Sequence, residues 1–223
     1  MKTKKQAAEI TRLLEQAYPI AQCTLDTSNA WQLLVSVRLA AQCTDARVNM
    51  ITPILFAKYP TINALADAPL EDITEIVKPC GLGNSKARDI KRCMTVLRDK
   101  YNGIVPDTME ELLKLPGVGR KSANLILGDI YGQPAVVADT HCIRISNRLG
   151  FMKKSDKNSK DPVHVEMRLR KVLPMDKRND TCHRFVLHGR EVCTRRSPHC
   201  ENCILNPVCD YRKSLEKAAK QEK

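Results

Sequence analysis

At 223 residues, 43% hydrophobic and 28% charged, the chain has the composition of an ordinary globular protein, long enough for one large domain or two small ones. Its 37 Lys and Arg against 25 Asp and Glu leave a net charge of +12, a surplus that points to a polyanionic partner. No stretch approaches the roughly 18 apolar residues of a membrane span, and the opening MKTKKQAAEITRLLEQ has no apolar core of signal length, so a membrane or secreted protein is not expected.

Taken in order, the pattern is helical nearly throughout. Ile10, Leu13, Leu14 and Ala17 form one apolar stripe, and Trp31, Leu34, Val35 and Leu39 a second. Ala87, Ile90, Cys93, Met94, Leu97 and Tyr101 form a third, expected to begin after Asn84 or Ser85 as cap. Asp107 with Glu110 makes a capping-box-like start for the segment holding Leu112 and Leu113. The only concentrated β-like run is Ala135-Val136-Val137-Ala138, too short to found a sheet, so the expected fold class is all-α. Asp161-Pro162 starts a further helix, with proline where its missing N–H costs nothing. Lys153 to Lys160 (KKSDKNSK) reads as a solvent loop, and the Lys/Glu-rich tail after Tyr211 as an end that frays.

Between two of these helical patterns lies Leu115-Pro116-Gly117-Val118-Gly119-Arg120-Lys121. Two glycines around one apolar residue allow a tight turn with positive φ, and the turn presents backbone N–H groups at the positive start of the next helix. Main-chain donors placed in that way hold a phosphate without regard to base sequence. Leu115 and Val118 are expected to anchor the turn. A glycine-ended helix and a short connection is the plainer alternative.

The ten cysteines fall into two populations. Cys23, Cys43, Cys80, Cys93, Cys142 and Cys182 are scattered, mostly within apolar helical patterns, and read as buried thiols. Cys193, Cys200, Cys203 and Cys209 crowd together as C-x6-C-x2-C-x5-C. Without a secretion signal, disulfides explain them poorly and a metal explains them better. Zinc ribbons usually carry two C-x2-C knuckles, whereas this segment has one, and the ferredoxin spacings do not fit either.

The hairpin segment, Val136-Val137-Ala138-Asp139-Thr140-His141-Cys142-Ile143-Arg144, Leu39-Ala40-Ala41-Gln42-Cys43-Thr44-Asp45, Gly81-Leu82-Gly83-Asn84-Ser85-Lys86-Ala87 and the cysteine spacing together resemble endonuclease III, from about Trp31 to Cys209. That family belongs to the helix-hairpin-helix DNA glycosylases. The resemblance implies base-excision repair: removal of oxidised, ring-saturated or fragmented pyrimidines from double-stranded DNA, then cleavage of the abasic site by β-elimination. It makes Lys121 the nucleophile and Asp139 its partner; a lysine here marks enzymes that are lyases as well as glycosylases. An attacking amine must be neutral, and the positive helix end, partial desolvation and Arg120 all disfavour its ammonium form.

The same resemblance places Gln42 and Leu82 in the gap left by a flipped base. It sets Gly117, Gly119 and Arg120 against phosphate, and His141 by the base pocket or phosphate path. Asp45 becomes a pocket residue or a helix cap. Many relatives carry a bulky aromatic where this chain has Gly83. Cys193, Cys200, Cys203 and Cys209 would hold a 4Fe-4S cluster that braces a loop whose Arg195 and Arg196 meet DNA phosphates. Two helical lobes are implied: residues 22–133, with the hairpin, and residues 1–21 with 134–223, carrying the cluster loop at 193–209, with DNA in the cleft between. A monomer in the cytoplasm of a cell without a nucleus, associated with DNA, fits. Two other readings are a monofunctional mismatch glycosylase and a non-catalytic DNA-binding iron–sulfur protein. Lys121 argues against both.

Overall fold

The computed structural model describes residues 1–153 and 155–221. Among them there is no strand, and the regular structure is helical. The chain divides into two compact units, Cys23–Gly132 and Met1–Gln22 with Gln133–Lys223.

The chain opens with α1 (Lys4–Ala17), which starts where a capping box starts it. Thr3 accepts from the Gln6 amide, and the Gln6 side chain accepts in return from the Thr3 amide. Its inner face is Ala7, Ile10 and Leu14, while Ala17 turns outward.

The contiguous unit then runs α2 (Ala30–Ala40), α3 (Asp45–Lys58), α4 (Ile62–Asp67), α5 (Leu70–Val77), α6 (Gly83–Tyr101), α7 (Met109–Leu112) and α8 (Arg120–Asp129). The side chains of Asn29, Thr44, Thr61 and Thr108 cap α2, α3, α4 and α7, each accepting an amide three residues on. The α7 cap is therefore Thr108 rather than Asp107, whose neighbour can reach the next free amide equally well. Helix α6 is the spine of the unit, with α2, α4 and α5 packed on it. Ala87, Ile90, Cys93, Met94 and Leu97 are buried as its stripe predicts. Each fully buried leucine or isoleucine of such a stripe contributes about 1.5–3 kcal/mol. The helix begins two residues earlier than Ser85, because Leu82 adopts a left-handed conformation and no side-chain cap is used.

In the other unit α9 (Thr140–Leu149) packs on α11 (Arg178–Glu191), with α1 and α10 (Pro162–Val172) beside them and α12 (Asp210–Gln221) against α9. Asp161 caps α10 and Pro162 takes its first position, as expected. The run 135–138 is buried without entering a sheet. The tail expected to fray continues as α12 through Gln221, with no buried residue of its own. Lys2 is nearly buried: its amide donates to Gly150 O at 3.0 Å, its Nζ meets Asp210 Oδ1 at 2.7 Å, and Arg168 Nη2 donates to its carbonyl at 2.6 Å. The expected solvent loop forms turns over 155–160, and Lys154 lies outside the described residues. Among the described residues no helix is long and apolar enough to cross a membrane.

Candidate functional site

The hairpin is held from below by Leu112 and Leu115, both buried, and closed by Val118 N–H donating to Leu115 O at 3.2 Å. Val118 is half-buried, a weaker anchor than Leu115. Gly117 has φ 77°, and a Cβ on it would come within 3.0 Å of Asp89 Cβ and 3.1 Å of Arg38 Cδ. Glycine is thus needed for both backbone and space. The wall it touches is the Arg38–Asp89 ion pair, 2.7 Å, which joins α2 to α6. Gly119 departs from expectation: its backbone is extended, at φ −101° and ψ 174°, and an added Cβ would meet nothing within 4 Å.

Gly119 is the N-cap of α8 and has no side chain to offer the first-turn amides. The helix therefore opens on backbone N–H groups and the positive end of its dipole, an environment suited to an anion. Lys121 is exposed on this first turn, with Arg120 half-buried beside it.

Two other loops of the same unit carry unusual backbone. Gln42 at φ 57° and Leu82 at φ 53° are left-handed, which is uncommon for residues with a Cβ. Gln42 is exposed and Leu82 is 56% exposed, so the leucine between Gly81 and Gly83 does protrude. Gly83 itself is tightly set, since a Cβ there would lie 3.2 Å from Lys78 Cα. Behind both loops sits Lys86, with no exposed surface. Its Nζ donates to Leu39 O at 2.8 Å and to Cys80 O at 2.7 Å, so one buried ammonium ties the Gln42 loop to the Leu82 loop. Burial holds its pKa below the usual lysine range. Asp45 is not the cap of α3, a role Thr44 takes; its Oδ2 accepts from Thr24 Oγ1 at 2.6 Å.

In the other unit Asp139 ends the buried 135–138 run and caps α9, its Oδ1 accepting from the Cys142 amide at 2.7 Å. The cap fixes the carboxylate at the mouth of that helix. His141, half-buried, is tied into the fold by Arg144, whose Nη2 lies 3.0 Å from its Nδ1 and donates to Gly189 O at 3.0 Å. A guanidinium only donates, so Nδ1 accepts. Burial lowers the pKa of the ring against the opposing pull of Asp139. Gly189 is required by this contact: a Cβ on it would fall 2.4 Å from His141 Nδ1.

From α11 the chain passes into the cysteine loop. Cys193, Cys200, Cys203 and Cys209 are free and half-buried, and of residues 193–209 only Leu205 is fully buried. The loop therefore has almost no core of its own. Burial, together with the neighbouring thiols, raises the pKa of Cys200, and burial pushes Cys203 up to about 11. Among the described residues no three His, Cys, Asp or Glu are grouped as for a single metal ion. Arg148 ties the entry to the loop. Its Nη1 donates to Thr194 O at 2.6 Å and to Cys193 Sγ at 3.2 Å, its Nη2 donates to Arg195 O at 3.0 Å, and the guanidinium lies 5.0 Å from the Tyr211 ring centre. Arg195 and Arg196 are exposed.

Lys86, Arg38, Arg144 and Arg148 are ties around these loops that the sequence reading did not single out. Arg144 and Arg148 did leave a signal: cations four apart on one helix face, ahead of a cysteine cluster. Lys86 left none, since a lysine in an apolar stripe is ordinarily read as its edge.

Residues 35–175 match the family model of the HhH-GPD superfamily of base excision DNA repair proteins. The chain is 43% identical to endonuclease III of Synechocystis sp. over 94% of both chains. It is 36% identical to endonuclease III of Escherichia coli (strain K12), over 96% of this chain and 99% of that one. A solved non-covalent endonuclease III–DNA complex superposes with a TM-score of 0.88 at 40% identity, covering 97% of this chain and all of the other. A trapped endonuclease III–DNA covalent intermediate gives the same values. A thermostable thymine-DNA glycosylase shares the fold, with a TM-score of 0.84 at 22% identity. The chain belongs to the endonuclease III family, the bifunctional DNA glycosylases and abasic-site lyases of the helix-hairpin-helix base-excision repair superfamily.

Proposed function

We propose that this base-excision repair enzyme removes oxidised, ring-saturated or fragmented pyrimidines from double-stranded DNA and cuts the strand with Lys121 as nucleophile. The observation that carries the reading is an exposed lysine on the first turn of a helix whose amides no side chain caps, next to Gly117 and Gly119. The backbone N–H groups of that turn, with Arg120, take a DNA phosphate. Neutral Lys121 attacks C1′ and the base leaves with a proton. The C1′–O4′ bond then opens, O4′ taking up a proton, to give an imine between Lys121 and C1′; the imine loses the 2′ proton, and the 3′ phosphate departs by β-elimination. Asp139, fixed by its cap, stabilises the oxocarbenium-like transition state and takes the lysine's proton. Gln42 faces the orphaned base, Leu82 wedges the stack, and His141 lines the path of the substrate.

Cys193, Cys200, Cys203 and Cys209 suit a 4Fe-4S cluster. They are four free thiols in a nearly coreless loop, with Arg148 donating to one sulfur and His188 Nε2 lying 3.4 Å from another, that of Cys203. When bound, the cluster ties off the loop and holds Arg195 and Arg196 toward phosphate. The soluble DNA-associated monomer expected from sequence accords with this reading.

The test is borohydride trapping with a duplex carrying one thymine glycol. A covalent protein–DNA adduct that disappears in Lys121→Gln is the expected result. Base release without an adduct would replace the lyase with a monofunctional glycosylase.

A further inference from the structure

Gln42 and Leu82 stand on loops from different parts of the contiguous unit, yet they share one backbone conformation. Both are left-handed, at φ 57° and φ 53°, although both carry a Cβ. Such a conformation persists only where the surroundings over-determine it. At both loops Lys86 supplies that constraint. Its amide donates to Leu82 O at 3.0 Å, closing the first turn of α6 on the leucine. Its Nζ donates to Cys80 O, two residues before Leu82, and to Leu39 O, three residues before Gln42. Leu39 lies in the last turn of α2 and Cys80 ends the 3-10 turn Lys78–Cys80, places where carbonyls run out of helical partners. Arg38, which also joins α2 to α6, binds the side chains of Asp89 and Ser85 instead of either loop's backbone. Lys86 has no exposed surface, so its ammonium does not reach a DNA phosphate and acts only through what it holds.

We propose that Lys86 is a positioning residue for entry into the duplex: it fixes the spacing between Gln42 and Leu82, so that the amide and the wedge occupy one gap together. The inference rests on the reading that Gln42 faces the orphaned base and Leu82 wedges the stack. Methionine matches the apolar stem of the lysine but has no donor, and would leave both carbonyls unpaired in the interior. The loops would then turn toward other donors and relax out of left-handed backbone, and the two side chains would lose their common geometry. The hairpin is closed separately, by Val118 N–H on Leu115 O, so the loss falls on the two entering residues.

The full chain would be titrated with a duplex carrying a tetrahydrofuran abasic analogue, which no lysine can cleave, opposite 2-aminopurine. Anisotropy of an end label reads affinity, and 2-aminopurine fluorescence at saturation reads entry into the stack. The wild type, Lys86→Met, Gln42→Ala/Leu82→Ala and the triple variant make a mutant cycle. Lys86→Met is expected to bind about fivefold or more weakly than the wild type, and to lose most of the fluorescence change once saturated. In the alanine background the same substitution is expected to alter affinity by less than about twofold, since nothing is left to position. An equal loss in both backgrounds would make Lys86 a general support of the fold and overturn the proposal, as would wild-type affinity for Lys86→Met. Should Lys86→Met not fold, Lys86→Gln, which keeps a donor on a shorter side chain, is carried through the same cycle with the same outcomes. If Gln42→Ala/Leu82→Ala binds and fluoresces like the wild type, the loops do not enter the duplex, and the reading of Gln42 and Leu82 itself falls.

Discussion

Asp139 caps α9 through one carboxylate oxygen, and asparagine caps a helix as well as aspartate does. Asp139→Asn therefore separates the structural role from the chemical one. The variant is expected to keep its urea midpoint while single-turnover base release falls by about 100-fold or more. Asp139→Ala removes both, and is expected to lose about 1 kcal/mol of stability in addition. If Asn retained full activity, the carboxylate would have no part in the reaction. Lys86 shows what one residue contributes that a sequence cannot display. Its position in the α6 register, one turn before Ile90, is a core position, yet a lysine there looks like a surface residue. Only the carbonyls of Leu39 and Cys80, brought in from other parts of the chain, make its burial tolerable.

At the scale of elements, the glycines of the hairpin make opposite predictions. Gly117→Ala forces a Cβ against Asp89 and Arg38 at positive φ, and is expected to cost about 1–3 kcal/mol of stability. Gly119→Ala is compatible with its extended backbone and meets no neighbour, so stability is expected to change by less than about 0.5 kcal/mol. Its methyl stands at the opening of α8, and DNA affinity is expected to fall all the same. Denaturant melts and duplex-binding curves on the two variants check this. Unchanged affinity in Gly119→Ala would remove the phosphate from that turn. The sequence made the helices legible because their apolar stripes repeat at 3.6 residues; Ile90, Met94 and Leu97 are buried where the stripe puts them. It misplaced the cap of α6 by two or three residues and that of α7 by one. Thr108, next to Asp107, caps through the amide one residue further on, and the left-handed turn at Leu82 needs no capping side chain. It also gave Gly119 a positive φ, since a G-x-G spacing does not say which glycine turns.

For the whole molecule, the net charge of +12 predicts steep salt dependence of DNA binding. Arg195 and Arg196 are exposed on the cysteine loop that Arg148 anchors. Their joint replacement by alanine is expected to lower the slope of log affinity against log salt by about 0.9 per lost phosphate contact, ~1.8 for the pair. An unchanged slope would place those arginines off the DNA. Removing the side chain of Arg148 is expected to have the same effect indirectly, by releasing the carbonyls of Thr194 and Arg195.

The clamp on Lys2 bears on how the molecule is made. Residues 23–132 form a contiguous unit, able to fold as they leave the ribosome, whereas the unit carrying Asp139 joins Met1–Gln22 to Gln133–Lys223. Lys2 waits for Gly150, Arg168 and finally Asp210. The chain thus completes its hairpin and Lys121 early, but the surroundings of Asp139 only after α12 is synthesised. Under the proposed mechanism, an unfinished polypeptide carries Lys121 without a finished Asp139 to serve it, and reactivity toward DNA arrives last.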